Sequence, residues 1–327
     1  MQTDSLNKQG VQSLAEGVVR RDPRSLGRAL SLVENGGREE TYELIRALYP
    51  HSGRAIVVGV TGSPGTGKST LTYELARKLR ETGLTVGIIA VDPTSPFSGG
   101  AVLGDRIRMQ GLAGDPGVFI RSMATRGLMG GLSPATADAV LVLDAAGFDR
   151  ILIETVGVGQ DEVDIARTAH LTAVLLVPGM GDDIQSIKAG VMEIADLFVI
   201  NKSDLPGADK TRLEVESLLL MRSESLSEQI PIVKTVATTG EGIDRLLSTL
   251  EELQSRMEGT RRMEEAEIQR ARRRIMELLR ERVIRAVLRG IPPEHFQELV
   301  EQVRRRSTDP VSGVEELLGR TQFKGIV

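Results

Sequence analysis

Ile56-Val57-Val58-Gly59-Val60-Thr61-Gly62-Ser63-Pro64-Gly65-Thr66-Gly67-Lys68-Ser69-Thr70 is the stretch whose reading decides the fold. An apolar, β-branched run ends in G-x-x-x-x-G-K-S and passes directly into a helix-forming sequence, which is the strand, loop and helix order of a phosphate-binding loop. A backbone that wraps a polyphosphate with its own N–H groups needs positive φ angles and no side chains in the way, which Gly62, Gly65 and Gly67 provide. Lys68 supplies a cation to the β and γ phosphates and Ser69 a hydroxyl to Mg²⁺, while the helix that begins there points its positive end at the anion. Residues Gly62, Ser63, Pro64, Gly65, Thr66, Gly67, Lys68, Ser69 and Thr70 are therefore the expected phosphate contacts. A Gly-rich turn with no ligand would explain neither Lys68 nor the strand before it.

Outward from this loop, short apolar runs alternate with helical patterns from Arg54 to about residue 255. The runs are Ala55 to Val60, Val86 to Val91, Val118 to Arg121, Arg150 to Ile153, Ala173 to Val177, Leu197 to Ile200 and Ile230 to Val233. Continuous apolar strands separated by helices predict an α/β fold, with a mainly parallel sheet covered on both faces, because parallel pairing needs crossover connections. Before it, residues 8 to 48 carry apolar positions at helical spacing, with breaks at Asp22-Pro23 and Asn35-Gly36-Gly37. These predict two or three amphipathic helices on the flank of the main domain. After it, residues 261 to 289 are Arg-rich but carry the apolar stripe Ile268, Ile275, Leu279, Val283 and Ala286, and Gly290-Ile291-Pro292-Pro293 ends that helix. Two shorter helices are expected beyond, near 294 to 305 and 314 to 318. The division expected is a helical extension over 1–53, a P-loop domain over 54–255 and a helical region over 256–327.

Composition bounds the function. The chain has 327 residues, no cysteine and a formal net charge of -4, so thiolate metal sites are excluded and no global footprint for nucleic acid is present. Acids Glu264, Glu265, Glu267, Glu277 and Glu281 interleave with the C-terminal arginines, which points away from nucleic acid there too. The N-terminus lacks the layout of a signal peptide and no apolar run approaches the length of a membrane span, so cytoplasm is the expected location, with neither nucleic acid nor membrane as partner.

A phosphate loop says nucleotide, and Asn201-Lys202-Ser203-Asp204 after the sixth apolar run says which one. A carboxylate can accept from both N1–H and the 2-amino group of guanine, whereas adenine has no matching donors, so Asp204 reads guanine and Asn201 holds the loop. Val236-Ala237-Thr238, after the next strand, is placed to give backbone N–H to the guanine 6-oxo group. Metal and water chemistry needs carboxylates at strand ends, and Asp92, Asp105 and Glu154 are the candidates to join Ser69 around Mg²⁺. Gly157 would let the backbone sense a γ-phosphate.

Residues 62 to 70, Val91 to Gly100, Leu103 to Met109, Arg121-Ser122-Met123-Ala124-Thr125-Arg126-Gly127, Glu154 to Gln160, Gln185 to Gly190 and Asn201 to Asp204 together resemble the MeaB/ArgK family, GTPases of the SIMIBI class of P-loop proteins. The resemblance implies a Mg²⁺-dependent GTP hydrolase, binding GTP and GDP, that acts as a chaperone for an adenosylcobalamin-dependent acyl-CoA mutase of the methylmalonyl-CoA mutase type, in cofactor loading and protection. It further implies a homodimer built with C-terminal helices, Mg²⁺ held by Ser69, Asp92, Asp105 and Glu154 in some nucleotide states, and a third mobile segment around Pro178 to Lys188. Lys68, Asp92, Glu154 and Lys188 are the expected catalytic set. Asp161 departs from the family, which usually has Ser there. A nickel metallochaperone of the same superclass fits poorly, because only His51, His170 and His295, widely scattered, could bind a soft metal. A GTP-dependent small-molecule kinase is the other alternative, and would need an acceptor pocket.

Overall fold

The computed structural model describes residues 8–92, 110–112, 114–124, 134–155, 161–179, 191–222 and 230–320. They form two units, residues 1–256 and 257–327.

The first unit opens with helices α1 (Lys8–Val19), α2 (Pro23–Asn35) and α3 (Arg38–Leu48). Their boundaries follow local chemistry: Asp22 accepts the Ser25 N–H at 2.8 Å and Pro23 occupies the first turn of α2, where its missing N–H costs nothing. The apolar positions that gave the helical spacing, including Val11, Leu14, Val18, Leu26, Leu30 and Leu44, are buried together with Ala139, Val142 and Leu143 of α5 (Pro134–Ala145). The N-terminal helices therefore share one core with the sheet.

That sheet has 7 strands in the order β3-β2-β4-β1-β5-β6-β7, namely β1 (Ile56–Thr61), β2 (Val86–Asp92), β3 (Val118–Ala124), β4 (Arg150–Glu154), β5 (Leu171–Leu176), β6 (Leu197–Ile200) and β7 (Ile232–Lys234). Every neighbouring pair is parallel. Each expected run becomes a strand, with bounds that differ in places: β3 continues past Arg121 to Ala124, and β5 begins at Leu171, two residues before the expected Ala173. The run from Ile230 becomes a strand only at Ile232, because Pro231 has no N–H to give a ladder, although its carbonyl accepts from Phe198 N–H at 2.9 Å.

Helix α4 (Lys68–Glu81) covers one face of the sheet, and α5 and α6 (Asp161–Thr168) lie on the other. A side chain at Gly59 would meet Ile165 and Ala169 at 2.7 and 3.2 Å, so a glycine in mid-strand lets α6 close on β1. Asp144 accepts the N–H groups of Gly53, Arg54 and Ala55 at 2.6, 3.0 and 2.9 Å and fixes the entry into β1. Helices α7 (Val191–Ile194), α8 (Ala208–Arg222) and α9 (Ile243–Met257) complete the unit. Because all strands run the same way, the loops after β1, β4, β5, β6 and β7 gather along one edge, where open α/β sheets bind ligands.

The second unit holds α10 (Arg261–Arg289), α11 (Pro293–Arg304) and α12 (Pro310–Arg320), joined by a small core of Val287, Ile291, Leu299 and Leu317. Of the expected stripe on α10, Val283 packs against this core, whereas Ile268, Ile275 and Leu279 are 59%, 64% and 49% exposed in the single chain.

Candidate nucleotide and metal site

The loop after β1 has the backbone its glycines allow. Gly62, Gly65 and Gly67 have φ of 141°, 83° and 92°. At two of them the need is also steric: a Cβ on Gly62 would lie 2.4 Å from the Leu175 carbonyl of β5, and one on Gly67 would lie 2.5 Å from Asn201 Nδ2. Thr66 turns the loop by donating its hydroxyl to the Ser63 carbonyl at 2.9 Å. Helix α4 then begins at Lys68 with Gly67 as its left-handed cap and no side-chain cap. First-turn N–H groups of a helix have no intrahelical acceptor, so this end is an anion site. Lys68 is buried and its Nζ donates to the carbonyls of Gly62 at 2.8 Å and Ser63 at 3.1 Å, which stations the ammonium across the mouth of the loop.

Asn201, at the carboxyl end of β6, is the junction of three loops. It is 2% exposed, its Nδ2 donates to the Thr66 carbonyl at 2.8 Å, and its Oδ1 accepts from Thr235 Oγ1 at 3.1 Å and from Ala237 N–H at 3.0 Å. One amide thereby locks the phosphate loop to the loop after β6 and to the loop after β7. Lys202, in the left-handed region at φ 53°, adds a second tie by donating Nζ to the Gly65 carbonyl at 2.9 Å. Asp204 stands exposed beyond this tie, three residues from the anchored Asn201. Of the three N–H groups expected near the guanine 6-oxo group, Val236 donates to the Glu241 carbonyl and Ala237 to Asn201, both at 3.0 Å. Thr238 is exposed and stands beside them.

Glu154, the last residue of β4, is buried and its Oε1 accepts the hydroxyl of Ser69, the second residue of α4, at 2.5 Å. Register explains the encounter, since Glu154 pairs with Val60 of β1, two residues before the loop. Two oxygen ligands, buried side by side at a helix N-terminus, suit a hard cation such as Mg²⁺. Among the described residues no group of three or more His, Cys, Asp and Glu comes together. Asp92 closes β2 on the same edge, with its side chain outside the described residues, and Asp105, Gly157 and Lys188 also lie outside them. Sequence reasoning did not find the buried hydroxyl pair of Thr61 and Thr155, 2.9 Å apart, which joins the start of the phosphate loop to the residue after Glu154. Two threonines 94 residues apart carry no signal of their own.

Against this geometry, the family model described as "Methylmalonyl Co-A mutase-associated GTPase MeaB" matches residues 26–291. The chain belongs to the MeaB family. Within it, a Pyrococcus abyssi protein named as a GTPase is 47% identical over 311 residues, covering 94% of this chain and 96% of that protein. The GTPase ArgK of Escherichia coli is 35% identical over 322 residues, 93% and 96% of the two chains. The mouse protein named methylmalonic aciduria type A homolog, mitochondrial, is 36% identical over 264 residues, 76% of this chain and 64% of its own. A crystal structure titled LAO/AO transport system kinase superposes with a TM-score of 0.70 at 26% identity, over 97% of this chain and 99% of that one. As a member of the MeaB family, the protein is a P-loop GTP hydrolase, and the fold in general implies a guanine nucleotide and Mg²⁺ as ligands.

Proposed function

We propose that this protein is a Mg²⁺-dependent GTPase that serves as a chaperone for an adenosylcobalamin-dependent acyl-CoA mutase of the methylmalonyl-CoA mutase type, coupling hydrolysis to loading and protection of the mutase's cofactor. Membership of a family described by its association with that mutase supports the partner, and the Asn201 junction is the observation that carries the guanine-nucleotide reading. With Asn201 fixed from three sides, Asp204 is presented to N1–H and the 2-amino group of the base at a set distance from the phosphates. Thr238 N–H, or Ala237 N–H released from Asn201, then serves the 6-oxo group.

At the phosphate end, Lys68 exchanges the carbonyls of Gly62 and Ser63 for β and γ oxygens, and the residues 62 to 70 wrap the anion with backbone N–H. Ser69 and Glu154 would hold Mg²⁺, with Asp92 and Asp105 as the remaining carboxylates; the ion supplies charge neutralisation across the β and γ phosphates. A transferred phosphoryl group is stabilised by positive charge that is already in place, and such preorganisation is the largest lever a GTPase has. The segment from Pro178 to Lys188, reached from β5 on the same edge, is the part that a bound mutase would order, bringing Lys188 to the site. Two copies of the chain pair through the C-terminal helices, covering the exposed Ile268, Ile275 and Leu279 of α10. The division into an N-terminal helical extension over 1–53, a GTPase domain over 54–255 and a dimerisation region over 256–327 goes with this reading.

The test is single-turnover GTP hydrolysis with and without the mutase encoded by the same genome. Acceleration of at least about tenfold is expected for an enzyme whose transition-state charge is completed by its partner. Absence of any acceleration, together with identical mutase affinity in the GTP and GDP states, would refute it, because coupling of hydrolysis to a partner requires that the two states differ in affinity for it.

A further inference from the structure

Strand β3 is the edge of the sheet, so every second N–H along it points away from β2 and needs a partner from elsewhere. At its last residue, Ala124, that partner is a carboxylate from a different layer: the N–H donates to Glu34 Oε1 at 3.3 Å. Glu34 belongs to α2, one of the N-terminal helices that carry no nucleotide motif. Its other oxygen takes Arg121 Nη2 of the same strand at 2.6 Å, and the same nitrogen reaches Ser31 Oγ at 3.3 Å. The two side chains of this ion pair are only 10% and 18% exposed, so the pair is held in poorly screened surroundings and tolerates little displacement. Ala124 is the register partner of Asp92, and Arg121 that of Ile89, so the β2–β3 ladder transmits the position of the β3 terminus to the carboxyl edge of β2. Two rows before Asp92, Ala90 is the partner of both Ser122 and Glu154. The end of β3 is thus braced from α2 and is itself the outer brace of the edge on which Asp92 and Glu154 sit.

We propose that Glu34 is a positioning residue for the metal end of the nucleotide site: by holding Ala124 and Arg121 it fixes the terminus of β3 and, through β2, the place of Asp92. This rests on the reading that Ser69, Asp92 and Glu154 hold Mg²⁺. The phosphate loop and the Asn201 junction are built on β1, β6 and β7 and do not depend on this brace. Disturbing Glu34 therefore separates two properties that general loosening of the fold would lower together: metal affinity falls and metal-free nucleotide affinity does not.

The experiment uses the full chain loaded with GDP and reads Mn²⁺ binding by electron paramagnetic resonance, GDP affinity in EDTA by a fluorescent analogue, and kcat for GTP. Glu34→Ala is expected to weaken Mn²⁺ binding and lower kcat at least about fivefold, a modest share of the effect of losing a ligand itself, with GDP affinity in EDTA within about twofold. Glu34→Gln keeps the volume and one acceptor but loses the charge against Arg121, and is expected to show the same pattern at about two- to threefold; it decides the matter if the alanine variant does not fold. Ser31→Ala, which removes only the uncharged contact to Arg121 and leaves both Glu34 contacts in place, should leave all three readings unchanged. Unaltered Mn²⁺ affinity in folded Glu34→Ala or Glu34→Gln overturns the proposal, as does an equal fall in GDP affinity. Glu154→Gln is the reference: loss of Mn²⁺ affinity there but not at Glu34 overturns only the role of Glu34, whereas no loss at either position overturns the metal reading with it.

Discussion

Replacing Asn201 by alanine removes one side chain and three hydrogen bonds, to the Thr66 carbonyl, the Thr235 hydroxyl and the Ala237 N–H. At a net worth of about 1 kcal/mol each, the three come to about 3 kcal/mol, and each partner left buried without a replacement would raise the cost further. Water entering the vacated space from the open edge of the sheet recovers part of this. About 2 kcal/mol is then the expected penalty on the bound arrangement of the three loops, which is close to a thirtyfold loss of GDP affinity. Asn201→Asp retains the acceptor for Thr235 and Ala237 but sets a carboxylate oxygen against the Thr66 carbonyl, so it should bind GDP no better than the alanine variant. Fluorescent-nucleotide titration measures the affinity, and urea unfolding of the nucleotide-free chain measures how much of the loss is general. A GDP affinity within about threefold of the parent in Asn201→Ala, whatever happens to unfolding, would show that the loops need no common anchor and would refute the junction as the basis of nucleotide binding.

Three further outcomes are expected. Asp204→Asn should weaken GTP binding by at least about 2 kcal/mol, as for a lost charge-assisted pair, and shift preference toward xanthine nucleotides, with competition titration as the check and unchanged GTP affinity as the contrary result. Lys68→Ala and Ser69→Ala should each lower turnover at least about tenfold, the second with a raised Mg²⁺ requirement, and full phosphate release by Lys68→Ala would contradict the proposed mechanism. Lys188→Ala should abolish most of the acceleration by a cognate mutase while leaving GTP affinity nearly intact; equal stimulation of both proteins in single turnover would reduce the segment before Lys188 to a plain connection.

What the sequence settled by itself is what local chemistry governs. The glycines at 62, 65 and 67 are there because the backbone takes positive φ at each, the Asp22-Pro23 break because one residue caps a helix and the next suits its first turn, and the strand runs because continuous β-branched stretches must be buried on both faces. Asn201 could be assigned to holding a loop from its motif, though not the three bonds by which it does so. The insertion of β4 between β2 and β1 places Glu154 beside Ser69 across 85 residues of chain. Neighbourhoods of this kind are set by strand register and by which helix face packs on which strand. The hold of Glu34 on the end of β3, from 90 residues away, is of the same sort, as is the pairing of Thr61 with Thr155. No periodicity in the chain encodes such contacts. They exist because burying the apolar faces of α2, α4 and α5 against one sheet leaves a few polar groups inside that must find partners wherever the packing has brought them, and only the tertiary structure decides which ones those are.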